Sequence, residues 1–489
     1  MTTPVALTDR TLASLRDRLD VPTYRRAALI PSVVHLGVGG FHRAHQAVYL
    51  DDLARQGDCD WGEVGVGLRS TTMRDALSPQ DHLFTVVERD GAGDTARVVG
   101  SMVDYLFAPD DPEAVLRILA DRRVRLVTLT ITGDGYRRAP DSPPAARPVE
   151  DPPPAARFLV EALDRRRRAG LPGFTVLSCD NLADNGAAAR DMVLDLATVR
   201  DRRLAAWIDA HVTFPASMVD RITPATDDAA RDLVATRFGV HDRSPVITEP
   251  FRQWVIEDDF PYGRPPLERA GVQFVADVTP YKLMKTRLLN AGHSALGYLG
   301  CLTGDYRTTS EAMANPVVAD YLAVLLGEEI APLLPAVPGI DLNAYQQSLL
   351  RRFANPAISD QLARLCGRGS TKMPAYLLPS LAEARRQGRP ATLLALAVAA
   401  WFCYLRGYDL NGSPIEVRDR LAGELRELAR TGGNDPRPLL AERDLFGSLS
   451  EDAGLVTAIE CALHDLEMYG PAATVCDYLA EKLPAEPAV

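Results

Sequence analysis

Val33-Val34-His35-Leu36-Gly37-Val38-Gly39-Gly40-Phe41-His42-Arg43 passes from an apolar run into a glycine-rich turn. Gly37 and Gly39 match the first two glycines of G-x-G-x-x-G, which let the chain turn tightly and let backbone approach a pyrophosphate. The third glycine position is His42, so the fingerprint is incomplete. Residues 44–55 then carry a helical pattern and residues 64–68 a second apolar run. Strand, turn, helix and strand in that order make a βαβ unit.

Further strand-like runs at 83–87, 125–131 and 174–178 alternate with helical stretches such as 112–122 and 186–197. The alternation predicts a doubly wound, mainly parallel sheet. After about Thr279 strand signals become scarce, and helical patterns at 281–301, 317–327 and 392–406 take over. A chain of 489 residues exceeds what one core usually supports. The expectation is an α/β Rossmann-type domain for dinucleotide binding over 1–280 and a mainly α-helical substrate domain over 281–489. Residues 139–157 are dense in proline, from Pro140 to Pro154, which predicts a surface excursion.

Composition removes several classes of function. Hydrophobic residues at 46% and charged residues at 24% suit a soluble globular enzyme. The net charge is −11 and no basic cluster stands beside interleaved aromatics, which argues against nucleic acid. Asp9, Arg10, Arg16, Asp17 and Arg18 interrupt the N-terminal segment, and no uncharged stretch is long enough to span a bilayer. No membrane partner and a cytoplasmic location follow as expectations. Seven scattered cysteines without a C-x-x-C pair read as reduced, mostly buried thiols. A small-molecule substrate is expected, with the chain a monomer or small homo-oligomer.

The most chemically informative constellation is Lys285-Thr286-Arg287-Leu288-Leu289-Asn290-Ala291-Gly292-His293. In a regular α-helix at about 100° per residue, Lys285, Asn290 and His293 fall at roughly 0°, 140° and 80°, one arc that can serve a cleft. A merely solvated helix face is the alternative, against which Asn290 and Gly292 are poor choices for an exposed helix interior. Ser178-Cys179-Asp180-Asn181 and Val219-Asp220-Arg221-Ile222-Thr223-Pro224 each follow an apolar run, the latter after 211–214. Ligands in open α/β sheets sit at strand C-termini, although such residues also cap helices or form turns. His42-x-x-His45 could suggest zinc, but no neighbouring cysteine or carboxylate in the sequence completes a site, so no metal is expected.

These motifs together resemble the long-chain polyol dehydrogenases typified by mannitol 2-dehydrogenase, with fructuronate and tagaturonate reductases and arabinitol dehydrogenases as relatives. Glu249-Pro250-Phe251 and Gln253-Trp254-Val255 extend the likeness over nearly the whole chain. The resemblance implies a metal-independent, NAD(P)-dependent oxidoreductase acting on CH–OH groups, of which D-mannitol 2-dehydrogenase is the leading reading. Fructuronate or tagaturonate reductase and D-arabinitol dehydrogenase stay open, as does an inactive dinucleotide-binding regulator. It implies Lys285 as catalytic base, Asn181 and Asn290 as oxyanion-binding amides and His293 as a substrate-orienting histidine. Asp220, Arg364 and Lys372 become substrate contacts; Gly37, Val38, Gly39, Gly40, Phe41 and Arg69 become cofactor contacts.

Three positions depart from the family pattern. Leu68-Arg69-Ser70-Thr71-Thr72 lacks the acidic residues that close relatives carry after the second strand. A carboxylate there would bond the adenosine ribose and repel a 2′-phosphate, so NADP is possible beside NAD, with Arg69 or Arg74 to receive the phosphate. Thr130-Ile131-Thr132-Gly133 lacks the family glutamate, and Lys282 stands where mannitol dehydrogenases carry another.

The mechanism implied is direct. A lysine at its reference pKa of about 10.4 is neutral in only about one molecule in two thousand at pH 7. Burial and a cationic nicotinamide would lower that pKa, and amides would stabilise the developing alkoxide in place of a Lewis acid.

Overall fold

The computed structural model describes residues 4–136, 152–358 and 360–480. Residues 137–151, which hold most of the expected proline-rich excursion, lie outside the described residues. The chain divides into two compact units, Met1–Val278 and Thr279–Val489.

A five-stranded parallel sheet organises the first unit: β1 (Pro31–Leu36), β2 (Gly62–Gly67), β3 (Met102–Phe107), β4 (Leu126–Leu129) and β5 (Thr175–Ser178). Their spatial order is β3-β2-β1-β4-β5 with every neighbour parallel, the doubly wound order of dinucleotide-binding domains. Alternate residues explain the two layers. Val34, Leu36, Val127 and Val176 pack on one face with Leu159, Leu163, Val193 and Ile208. Val33, Leu126 and Leu177 pack on the other with Tyr49, Leu50 and Leu53. A sheet covered on both faces gives continuous apolar strands, which is why β1 and β4 are readable as runs.

Several expectations need correction. Residues 83–87 do not join the parallel sheet: Phe84–Asp90 pairs antiparallel with Gly93–Val99 and parallel with Val246–Thr248 in a separate sheet. The parallel position next to β2 is taken by β3, whose Asp104 interrupts the apolar signal. No strand forms at 211–214; His211 ends the helix Arg202–His211, and the strand is Ser217–Asp220. Pro154 does not oppose a helix but opens one, Pro154–Arg168, since proline lacks only an N–H that the first turn leaves unpaired. Arg165 to Arg168 close that helix; Arg165, Arg167 and Arg168 pair with Glu113, Glu161 and Asp164, while the buried Arg166 donates to Pro172 O and Asp121 O at 2.7 Å each.

Helices dominate the second unit. Its central helix, Thr392–Leu405, is buried along almost its whole length. The buried Glu329 carboxylate caps it by accepting from Leu393 N at 3.0 Å and Leu394 N at 2.8 Å. The helix Ala291–Thr303 is nearly as buried. A Cβ on Gly297 would sit 3.2 Å from Cys366 Sγ, and one on Gly300 would sit 2.9 Å from Leu362 Cδ1. Glycine therefore sets how closely the short helix Leu362–Cys366, which bears Arg364, approaches.

None of the seven cysteines forms a disulfide. Cys179, Cys366 and Cys403 are buried, but Cys461 and Cys476 are exposed, so the expectation of mostly buried thiols fails on the outward face of Ala453–Ala480. No helix among the described residues is long and apolar enough to cross a membrane.

Candidate active site

In the first unit the glycine turn follows β1 directly. Gly37 has φ +98°, and a Cβ there would lie 2.3 Å from the Thr130 carbonyl oxygen. Thr130 Oγ1 donates to Gly37 O at 2.8 Å. Only glycine fits that corner. Gly39 differs: its φ is −138°, and a Cβ would meet nothing closer than Gly37 O at 3.9 Å. Gly40 is equally open, with Thr223 Cγ2 at 3.9 Å. A Cβ at Gly39 or Gly40 would make only ordinary van der Waals contact, so the protein's own packing does not demand glycine there, and close backbone approach of a ligand is the remaining reason for it.

Beside this turn lies a cavity of about 250 Å³ at the C-terminal ends of β1, β2 and β4. Gly37, Val38 and Arg69 line it, together with Leu68, Ser70, Thr72, Tyr105 and Thr132. Gly39, Gly40 and Phe41 are not in its wall; Phe41 stacks on His45 at 5.0 Å and packs on the core. The Tyr105 hydroxyl is buried without a hydrogen-bond partner.

Beneath the turn is a group that the sequence does not reveal. His42 Nε2 meets Glu63 Oε1 at 2.8 Å in full burial, and the His35 ring stacks on His42 at 3.5 Å. Glu63 is the nearby carboxylate that sequence reading missed, 21 residues from His42. His35, His42 and Glu63 each place one donor atom within 4.8 Å of the others. Both His35 nitrogens also contact threonine hydroxyls, Thr128 and Thr130, at 2.8 Å. His45 points elsewhere, its Nε2 lying 2.9 Å from Gln253 O.

Burial pushes the Glu63 carboxyl up to about 7 and holds His42 down to about 3. A carboxyl raised this way favours the folded state fully below its unfolded pKa of about 4.5 and loses that contribution as pH rises through about 7. The stability of the natural protein relative to Glu63→Gln should therefore fall between pH 5 and pH 8, by up to about 3 kcal/mol, whatever the opposing rise from the buried histidines, whose pKa values are lowered. Thermal unfolding of both proteins across that range checks it; parallel curves would contradict the assignment.

At the end of β5, the Asp180 carboxylate accepts from Ile131 N and Thr132 N at 2.9 Å each and from the Tyr136 hydroxyl at 2.7 Å. Asp180 thereby holds the 130–136 segment, a structural task, while its neighbour Asn181 is exposed. Asp220 is buried at the end of its strand, 3% exposed. Arg221, in the same motif, is structural: it donates to Glu249 O at 2.8 and 3.0 Å and pairs with Glu88.

In the second unit, Lys285, Asn290 and His293 stand on one continuous helical run. It is α-helical over Thr279–Met284, a π-helix over Lys285–Asn290, and α-helical again over Ala291–Thr303. The regular α-helical phase expected from sequence does not hold. A π-turn closes i to i+5, so Lys285 and Asn290, five apart, take the stacked relation that residues four apart have in an α-helix. Lys285 is 7% exposed and Asn290 8%. Asn290 Nδ2 and His293 Nε2 are buried with no hydrogen-bond partner, unusual for groups that cost free energy when unpaired. The His293 ring stacks on Phe353 at 4.2 Å.

This region is strongly electropositive. Burial, then the charges of Arg364, Arg352, Lys372 and Lys285, hold the His293 pKa well below its usual value. The imidazole is neutral at pH 7. Arg364 donates to both Asp360 oxygens, at 2.8 and 2.5 Å. Lys372 Nζ donates to Leu365 O at 2.8 Å. Burial, then Arg368 and Arg364, lower the Lys372 pKa to about 8.

Residues 31–269 match the mannitol dehydrogenase Rossmann domain and residues 277–467 the mannitol dehydrogenase C-terminal domain. The chain belongs to the mannitol dehydrogenase family. A mannitol dehydrogenase of Saccharomyces cerevisiae is 44% identical, with 98% of each chain covered. Mannitol 2-dehydrogenase of Pseudomonas fluorescens, solved as a ternary complex with NAD and D-mannitol, is 41% identical with a TM-score of 0.87, covering 98% of this chain and 100% of that one. A D-sorbitol dehydrogenase in substrate-free form is 36% identical with a TM-score of 0.88, covering 96% and 100%. As a mannitol dehydrogenase family member the chain is an oxidoreductase acting on CH–OH groups.

Proposed function

We propose that this chain interconverts D-mannitol and D-fructose with NAD, without a metal. Full-length likeness to the Pseudomonas fluorescens enzyme solved with NAD and D-mannitol carries this reading. The residues present fit both ligands: a Gly39 that the protein's own packing does not require, a cavity beside the turn, and unpaired Asn290 and His293 atoms. The first unit is assigned dinucleotide binding and the second the polyol. A cytoplasmic location suits this chemistry.

When bound, the dinucleotide accepts hydride from the polyol carbon or returns it to the ketose. Lys285 Nζ takes the hydroxyl proton during oxidation and delivers it during reduction, so oxidation requires the neutral amine. Asn290 Nδ2 donates to the developing alkoxide oxygen, and Asn181 is assigned the second amide; such donors are worth about 3 kcal/mol each elsewhere. His293 Nε2, on a neutral ring, orients the polyol. Asp220, Arg364 and Lys372 are assigned to the remaining hydroxyls, with Asp360 fixing the Arg364 guanidinium.

Likeness to a D-sorbitol dehydrogenase supports a second reading in which D-sorbitol is the hexitol. Both hexitols yield D-fructose at carbon 2, and the face that receives hydride separates them. Reduction of D-fructose with NADH, followed by chromatographic identification of the hexitol, decides between the two. D-Mannitol as the dominant product is expected; D-sorbitol would transfer the assignment, and no hexitol would contradict both.

A further inference from the structure

We propose that Arg69, with the Ser70 and Thr72 hydroxyls, forms a 2′-phosphate subsite, so that the dinucleotide cavity takes NADP(H) at affinities comparable to NAD(H). The inference rests on the dinucleotide-binding reading above and adds the residue that sets cofactor choice.

In doubly wound domains the residue just after the second strand faces the adenosine ribose, and a carboxylate there bonds the 2′-hydroxyl and repels a phosphate. Here β2 is followed by Leu68, Arg69, Ser70 and Thr72 in the cavity wall. No carboxylate lines that wall among the described residues. Two guanidinium groups lie in this segment, and the structure separates them. Arg74 is committed, with Nε on Asp75 at 2.8 Å and Nη1 on Asp110. Arg69 is exposed and makes no hydrogen bond, ion pair or ring contact among the described residues.

The hydroxyls beside it are gathered in one loop. Ser70 Oγ lies 2.7 Å from Thr72 Oγ1 and accepts from Thr72 N at 3.2 Å. A second, independent feature points to a ligand in the same cavity. The Tyr105 side chain is 6% exposed, lines the cavity, and has a buried hydroxyl without a partner. Gly67 makes room for it, since a Cβ at that position would lie 2.0 Å from the hydroxyl oxygen. A guanidinium matches a phosphate dianion in charge and in paired N–H geometry, and two adjacent hydroxyls add donors that a bare ribose does not need.

The test is equilibrium titration of the purified full chain with NADH and with NADPH, read by nucleotide fluorescence, for the natural protein, Arg69→Ala and Thr72→Asp. The natural protein should bind NADPH with a Kd within about tenfold of that for NADH. Arg69→Ala should raise the NADPH-to-NADH ratio of Kd values by about tenfold or more, and Thr72→Asp should raise it further. Binding of NADPH more than a hundredfold weaker than NADH by the natural protein, or a ratio unmoved in both variants, would overturn the subsite. Binding of neither nucleotide would instead overturn the dinucleotide-binding reading itself.

Discussion

Replacing Lys285 by alanine should lower the D-mannitol oxidation rate by about 10² to 10⁴, the range for loss of a general base. The expectation rests on position as well as residue type. Lys285 is buried at the start of a π-turn that stacks it with Asn290, and both stand close to the cation cluster around His293. Lys285 as an ammonium cannot accept a proton, so turnover in the natural protein should rise with pH, and Lys372, lowered to about 8 in the same cluster, titrates over the same range. His293 is neutral across this range and should add no inflection between pH 6 and pH 7. The variant should lose the rate and the Lys285 contribution to that rise, bind NADH normally through the turn in the first unit, and recover part of its activity with an added primary amine. Near-normal turnover with the same pH profile would hand the proton to another group.

Two adjacent glycines should fail in different ways. Gly37→Ala forces a positive φ and places a Cβ 2.3 Å from Thr130 O. That should cost at least about 2 kcal/mol and lower Tm by roughly 4–8 °C for a unit of this size. Gly39→Ala adds a Cβ whose nearest neighbour, Gly37 O at 3.9 Å, is an ordinary van der Waals contact, at an extended φ of −138°. Its Tm should be unchanged, while NADH binding weakens by about a hundredfold, close to 3 kcal/mol. Thermal unfolding and nucleotide titration of the two variants check the contrast. An unstable Gly39→Ala, or one that binds NADH normally, would show that the space before Gly39 is not where the dinucleotide lies.

The turn was legible because Gly37 does a job that no other residue can do, and sits where an apolar run stops. The helical character of the second unit was legible because its helices repeat apolar residues over long stretches. What sequence periodicity could not carry were relations set by folding. Glu63 lies in a strand that reads Gly-Glu-Val-Gly-Val-Gly, and nothing local announces that its carboxylate will face His42. The π-turn at Lys285–Asn290 changes the angular phase of Lys285, Asn290 and His293, and a regular 3.6-residue wheel misplaces them. The strand β3 was hidden by Asp104, and 83–87 looked like a central strand because its burial in a second sheet leaves the same apolar signature. Asp180 and Arg221 stand in the same sequence motifs as Asn181 and Asp220; their bonds to Ile131, Thr132, Tyr136 and Glu249 give them a structural task that the sequence does not show. Arg69 and Arg74 were equivalent in sequence, and only the ion pairs of Arg74 distinguish them.

The most direct test is deuterium transfer, with D-mannitol deuterated at carbons 2 and 5, NAD, and protein dialysed exhaustively against a chelator. Mass spectrometry should find deuterium in the reduced nicotinamide and D-fructose as the product, at a rate that added zinc does not change. Absence of transfer, or transfer restored only by zinc, would contradict a lysine-based, metal-independent polyol dehydrogenase.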